Sequence, residues 1–369
     1  MENLETKFQK NLTKLLEQKS IKTEVFAVGV SGGADSLALV YLLIPWAKKN
    51  KKKLVVLTVE HGLRKESLDE ALYVGELMKK SDVEHHILTW KGSKPKTGIE
   101  EAARLARYGL IEKYCMDNGI KYLMIAHHKF DQAETFIMRL QRGSGVDGLS
   151  AMSEVSRIGN LEVIRPLLDF EPEELKRYLK EKNISWMVDG SNYDEDFLRV
   201  RIRNLIPYLD EKIGLGVDRI AATSKVIART KDYLEKQVKS FINNNVKFFG
   251  GKKAAKISLS LIQKQHEEMV FRILCQLIKD IADRTYIPRA SDVERVVAAV
   301  TADGKAFKSR TLGGCEIINS DESLWIIPEI KDGKVLLKKD WDAFVERNPE
   351  YKKNKIPYKV RKFLKTIEF

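Results

Sequence analysis

Val25-Phe26-Ala27-Val28-Gly29-Val30-Ser31-Gly32-Gly33-Ala34-Asp35-Ser36 reads as a strand, a glycine turn and the start of a helix. Val25 to Val30 is an apolar, β-branched run of the kind that is buried on both faces. From Ser36 to Lys48 the apolar Leu37, Val40, Tyr41 and Ile44 recur at helical spacing. Between the two, Ser31, Asp35 and Ser36 stand at the rim of a turn built on Gly32 and Gly33. Such a unit is an anion site. The first amides of the helix have no carbonyl partner within it, and glycines let an anionic oxygen reach the backbone. The spacing is not G-x-x-x-x-G-K-[ST], because no lysine follows the glycines. Nor is it G-x-G-x-x-G, because the order is Gly29-x-x-Gly32-Gly33. An ordinary glycine-rich turn is the alternative reading.

On either side the chain alternates strand and helix. Met1 to Ser20 spaces Leu4, Phe8, Leu12 and Leu15 as a helix and is no signal peptide. Strands are predicted at Leu54–Val59, Glu84–Trp90 and Lys121–Ala126, with helices at Glu66–Lys80, Ile99–Asp117 and Asp131–Arg142. That order implies an α/β fold, a parallel sheet with helices on both faces. Ligands bind such sheets beyond the carboxyl ends of the strands. The polar clusters obey this rule: Ser31 to Ser36, Glu60-His61 and His127 to Glu134 each follow a strand. Pro172 to Lys182 reads as a further helix, then comes the turn-rich Asp189-x-Ser191-Asn192-x-Asp194. Arg199-x-Arg201-x-Arg203 follows, read as gathering a phosphate-bearing substrate or bracing a loop, with a solvated helix start as the alternative.

From about Leu215 the pattern becomes helical and lysine-rich, and Gly304 to Ile327 reads as a strand or hairpin stretch. The expected domains are therefore 1–214, a smaller and mainly helical 215–330, and a basic extension over 331–369. Residues 1–214 carry 34 Lys and Arg against 32 Asp and Glu, so 11 of the 13 excess positive charges lie beyond them. A solvated basic surface accounts for charge alone, while a polyanion such as RNA is the sharper reading. In 331–369, Trp341, Phe344, Tyr351, Tyr358 and Phe363 are interleaved with lysines, which suits either RNA stacking or packing on the body. Cys115, Cys275 and Cys315 lie far apart and suit a reducing cytoplasm, with neither a disulfide framework nor a zinc pattern. The longest apolar run, Leu37 to Ile44, is too short to cross a bilayer.

Four further strings are more specific than the loop. They are Glu60-His61-Gly62-Leu63-Arg64, Ala103-Arg104-x-x-Arg107-Tyr108, Ala126-His127-His128-x-x-Asp131-Gln132-Ala133-Glu134-Thr135 and Arg142-Gly143-Ser144-Gly145-x-x-Gly148-Leu149. With Arg165-Pro166-Leu167 and Asp189-x-Ser191-Asn192, and in this order, residues 24–210 resemble the tRNA(Ile)-lysidine synthetase family of PP-loop ATP pyrophosphatases. The departures are Phe130 where the family has an acid, Glu60 where it commonly has Asp, and Val200 where it has Asn.

The resemblance implies an ATP-consuming ligase. Its substrates would be ATP with Mg²⁺, free L-lysine and an isoleucine tRNA with a CAU anticodon. The C2 oxygen of the wobble cytidine would be adenylated, and the lysine ε-amine would then displace AMP to give lysidine. It also implies roles. Ser31, Gly32, Gly33, Ala34, Asp35, Ser36, Glu60 and His61 would bind ATP, and Asp35 and Asp131 would hold the metal. Arg107 would face the phosphates. The attacking amine must lose a proton, which Asp131 or Glu134, three apart on one helix face, would take or hold. No membrane partner is expected, and a homodimer is one open option for the assembly. A tRNA thiolase on the same loop would need a sulfur carrier or a cysteine pair, whereas 1–214 holds only Cys115. A non-catalytic ATP-binding module would need neither Asp131 nor Glu134.

Overall fold

The computed structural model describes residues 3–63, 67–92, 94–95, 97–187, 195–250, 253–282, 288–302, 308–329 and 356–367. Two compact units divide the chain, Met1–Lys231 and Asp232–Phe369.

The first unit is built on a six-stranded sheet. Its strands are β1 (Val25–Gly29), β2 (Lys53–Glu60), β3 (Glu84–Thr89), β4 (Tyr122–Met124), β5 (Val155–Ile158) and β6 (Leu161–Ile164), in the order β3-β2-β1-β4-β6-β5. All neighbours pair in parallel except the β5–β6 hairpin at one edge. Alternation along each strand feeds two cores. Val28, Val56, Met124 and Ile164 face α1 (Leu4–Gln18), α2 (Ala34–Lys49), α3 (Ser67–Lys80) and α7 (Pro172–Glu181). Ala27, Val55, Leu57, Leu123 and Val163 face Tyr108, Ile111 and Cys115 of α4 (Ile99–Asp117). Both faces being covered explains why β1 and β2 read as continuous apolar runs.

A third apolar cluster joins α5 (Lys129–Gln141), α8 (Leu198–Ile213) and the start of α9 (Val217–Asn245) through Ala133, Phe136, Ile202, Ile206 and Ile220. The short α6 spans Val146–Leu149. Two of the departures from the family pattern fall in or beside this apolar region. Phe130 packs against the cluster, and Val200 is buried.

The chain runs β1-β2-β3 to one side and returns to place β4 on the other side of β1. The crevice between the carboxyl ends of β1 and β4 is thus the switch point of the sheet, where ligands of open α/β sheets bind.

In the second unit the helices α10 (Leu259–Gln263), α11 (Glu267–Ala282) and α12 (Ala290–Thr301) follow the end of α9. Val270, Ile273, Leu277, Val293 and Val296 pack them against a five-stranded antiparallel sheet ordered β7-β8-β11-β10-β9. Its strands are β7 (Val246–Phe249), β8 (Ala254–Ser258), β9 (Ser309–Leu312), β10 (Cys315–Ser320) and β11 (Ser323–Pro328). The strand stretch expected at 304–327 is three of these five. Gly313 and Gly314, both at positive φ, make the two-residue turn that sets Leu312 opposite Cys315. A last helix, α13 (Tyr358–Ile367), lays Val360 and Leu364 with Ile356 against Phe249, Trp325 and Ile327. The residues expected to interleave aromatics with lysines between Lys331 and Lys355 lie outside the described residues.

Candidate active site

The glycine loop is locked by its own hydroxyls. Ser36 Oγ donates to the Gly33 carbonyl (2.9 Å) and accepts from the Ser31 amide (3.2 Å). Gly32 sits at φ +87°, a conformation that costs little only for glycine, and its carbonyl accepts from the Met187 amide (3.0 Å). Gly33 is the N-cap of α2 with no side-chain cap, and Leu37 makes the first return bond to it (3.1 Å). The amides of Ala34, Asp35 and Ser36 therefore have no carbonyl partner within the helix. This is the anion cradle, beginning two residues before the expected helix start.

Asp35 reaches across the switch point. Its Oδ2 lies 3.5 Å from His128 Nε2, while its Oδ1 is buried without a partner among the described residues. His128, the N-cap of α5, exchanges a capping box with Asp131: the His128 amide donates to Asp131 Oδ2 (2.9 Å) and the Asp131 amide to His128 Nδ1 (3.4 Å). Burial alone would lower the His128 pKa, but the Asp35 hydrogen bond and the charges of Asp131, Asp35 and Glu134 outweigh it and leave it raised. Burial also acts against the Asp131 carboxylate, and the charges of His128, His127 and Arg199 hold its pKa below the usual value.

Glu134, expected as a proton acceptor, is fully buried with both oxygens engaged. Oε2 accepts from Arg199 Nε (2.5 Å) and Oε1 from Arg203 Nε (2.6 Å). Arg199 Nη2 also reaches Asp131 Oδ1 (3.3 Å). Arg199 and Arg203, one turn apart on α8, share a face, whereas Arg201 turns away and donates to the Glu195 carbonyl (3.3 Å). The alternate arginines thus split: two engage carboxylates and one braces a loop. Gln132 is structural, exchanging two 2.8 Å bonds with the Met152 backbone.

On the β2 side, Glu60 is buried and holds its own loop, accepting at Oε1 from the Gly62 amide and from Ser67 Oγ (2.7 Å). His61 stacks edge-on to Trp90 with centroids 6.0 Å apart, and its Nδ1 is buried without a partner among the described residues. Burial and then the Arg107 charge push its pKa down. Arg107 reaches solvent, but protein rings its guanidinium. That enclosure, with the charges of Arg104 and Arg199, lowers its pKa. Its charge also acts on His127, whose pKa is lowered mainly by burial. The field of Arg107 therefore reaches the ends of both β2 and β4.

In the sequence Arg165 stands only within the Arg165-Pro166-Leu167 string, with no role assigned to it, and the structure places it at the carboxyl end of β6. It is buried and bonded to the Ser153 carbonyl (3.0 Å) and Ser156 Oγ (2.8 Å), and its charge acts on His127. Its position directly after a strand was the available signal. Arg64, Asp189, Ser191, Asn192 and Asp194 lie outside the described residues.

A divalent cation carried by ATP fits Asp35. Among the described residues no three His, Cys, Asp or Glu are grouped to cage a metal. Mg²⁺ bound with a nucleotide, however, needs only one or two carboxylates and completes its shell with phosphate and water. Asp35 Oδ1 is an unpartnered carboxylate oxygen beside the amide cradle. Asp131, the other expected metal ligand, already has a donor on each oxygen.

Residues 4–209 match the PP-loop domain family model. A tRNA(Ile)-lysidine synthase from Wolbachia pipientis wMel is 39% identical over 85% of this chain and 74% of that protein. The chain belongs to the tRNA(Ile)-lysidine synthase family. A Rickettsia akari lysidine synthase is 32% identical over 98% of this chain and 84% of its own length. Among solved structures, a U34-tRNA thiolase from Methanococcus maripaludis aligns with a TM-score of 0.50, 18% identity, and coverage of 62% of this chain and 77% of that one. At that identity the thiolase shares the fold, and the lysidine synthases define the family.

Proposed function

We propose that this protein ligates free lysine to C2 of the wobble cytidine of a CAU-anticodon isoleucine tRNA, forming lysidine, AMP and pyrophosphate. One observation carries the reading: Asp35 of the glycine loop and Asp131 of α5 meet through His128 at the switch point of the sheet. A nucleotide-binding loop is thereby joined to a carboxylate suited to an amine.

In the first step the cytidine O2 attacks the α-phosphorus of ATP, and the bond to pyrophosphate breaks. The amides of Ala34, Asp35 and Ser36, in the loop formed by Ser31, Gly32 and Gly33, hold the phosphates, and Arg107 stabilises the charge that builds on them. Glu60 and His61 shape the neighbouring wall. Asp35 is the residue that would hold Mg²⁺ carried with ATP, and the ion would supply positive charge beside the pyrophosphate.

In the second step the ε-amine of lysine attacks C2 and the C2–O bond to AMP breaks. Asp131, whose Oδ1 has only a 3.3 Å donor, holds the ammonium and receives its proton. Glu134 positions Arg199 and Arg203 rather than exchanging a proton, because both its oxygens are occupied. The basic residues beyond 214 supply much of the tRNA affinity, and we place the reaction in the cytoplasm. Among the described residues no helix is long and apolar enough to cross a membrane.

The test is incubation with ATP, labelled lysine and bulk tRNA, followed by nucleoside analysis. Labelled lysidine with AMP and pyrophosphate is expected. Formation of ADP, or of a thiolated nucleoside, overturns the assignment.

A further inference from the structure

Helix α5 does not need a histidine at its start. Ser, Thr, Asp and Asn are the preferred N-caps, and the capping exchange with Asp131 uses only one side of the His128 ring, Nδ1. Because Nδ1 accepts from the Asp131 amide, the neutral ring carries its proton on Nε2. That nitrogen faces Asp35 Oδ2 at 3.5 Å, with the ring 8% exposed. A capping Ser or Asn is too short to bridge that gap. The second nitrogen therefore serves Asp35.

We propose that His128 is a positioning residue for the cation bound with ATP. By holding Asp35 Oδ2 it fixes the carboxylate rotamer that leaves the buried Oδ1 free of any protein donor among the described residues. Loss of such a supporting bond typically lowers metal affinity about 10- to 100-fold. The device also ties Asp35 to the helix that carries Asp131, so the metal carboxylate and the amine carboxylate share one rigid reference. This inference rests on the reading of Asp35 as a metal ligand.

The test measures Mn²⁺ binding to the full-length protein with α,β-methylene-ATP, by the loss of the free Mn²⁺ electron paramagnetic resonance signal. His128→Asn retains an N-cap and loses the reach to Asp35. It is expected to weaken Mn²⁺ binding about 10- to 100-fold while leaving thermal unfolding close to that of the native chain. Asp35→Asn is expected to weaken it at least as much. The double variant should bind no worse than Asp35→Asn alone, because His128 acts through Asp35. Additive losses, or weakened binding by His128→Asn with native affinity in Asp35→Asn, overturn the inference. Native affinity in His128→Asn with a weakened Asp35→Asn overturns it and leaves the metal reading of Asp35 standing. Native affinity in both single variants overturns the metal reading itself. Should His128→Asn fail to fold, His128→Ser, which also caps and is also too short to reach Asp35, carries the same comparison.

Discussion

The two compact units enclose different material. Among the described residues the first buries Glu60, His128, Gln132, Glu134 and Arg165 to below a tenth exposed, whereas the second buries only Glu316 and Ser323 among its polar residues. Enclosing charge is costly unless each group is paired, and even paired it is often no more stable than an apolar replacement. A fold that encloses four ionisable groups at the carboxyl end of one sheet concentrates that cost where open α/β sheets bind their ligands. The second unit has an apolar core with helices on both faces of its sheet, and most of the excess positive charge lies in the chain beyond residue 214.

The largest expected effect tests the first half of that contrast. Asp35→Ala should reduce pyrophosphate release about 10³-fold or more, and Arg107→Ala about 10²- to 10³-fold. A single-turnover assay with tRNA measures both. Normal release by either variant would show that the loop carboxylate or the arginine has been misassigned.

Next is the apolar unit. Truncation at Lys331 removes Ile356, Val360 and Leu364 and uncovers the sheet face bearing Trp325, so the second unit should lose about 4.5–9 kcal/mol of stability, from roughly 1.5–3 kcal/mol for each of the three aliphatic side chains buried. Thermal unfolding checks this, and an unchanged transition would mean that α13 does not complete that core.

A paired measurement sharpens the comparison directly. Glu134→Ala leaves Arg199 and Arg203 without their buried carboxylate, and since both are partly exposed the expected cost is about 2–3 kcal/mol rather than the full value for a buried pair. Glu316→Ala removes the partner of the half-exposed Lys359 in the second unit and should cost under about 1 kcal/mol. Equal losses on urea denaturation would erase the distinction between the two units.

The smallest effect concerns the basic segment. Neutralising Lys338, Lys339, Lys352, Lys353 and Lys355, all outside the described residues, should weaken tRNA binding about tenfold and leave ATP binding intact. It should also flatten the salt dependence by about 0.7–0.9 for each tRNA phosphate that is no longer neutralised. Filter binding at several salt concentrations decides, and an unchanged affinity and slope would remove these lysines from the RNA interface.

Much of the first unit was legible in the residues themselves. Apolar runs with a period fitting a strand or helix, and a glycine turn between them, placed β1, α2, β2, α3, β3 and α4 within a few residues. The rule that ligands gather beyond strand ends located Asp35, His61, His127 and Asp131. Those signals are local, because backbone propensity and burial period act over a single turn or strand. Three outcomes required the tertiary structure. The β5–β6 hairpin and the β7–β8 pair are short, and they are stabilised by partners distant in sequence: β8 pairs with β11. Glu134 and Asp131 look alike in sequence, yet packing of α8 on α5 gives Glu134 two arginines and leaves Asp131 the lighter engagement. His128 reads only as part of the polar cluster that follows a strand, and its reach to Asp35 exists only because the return of the chain sets β4 beside β1.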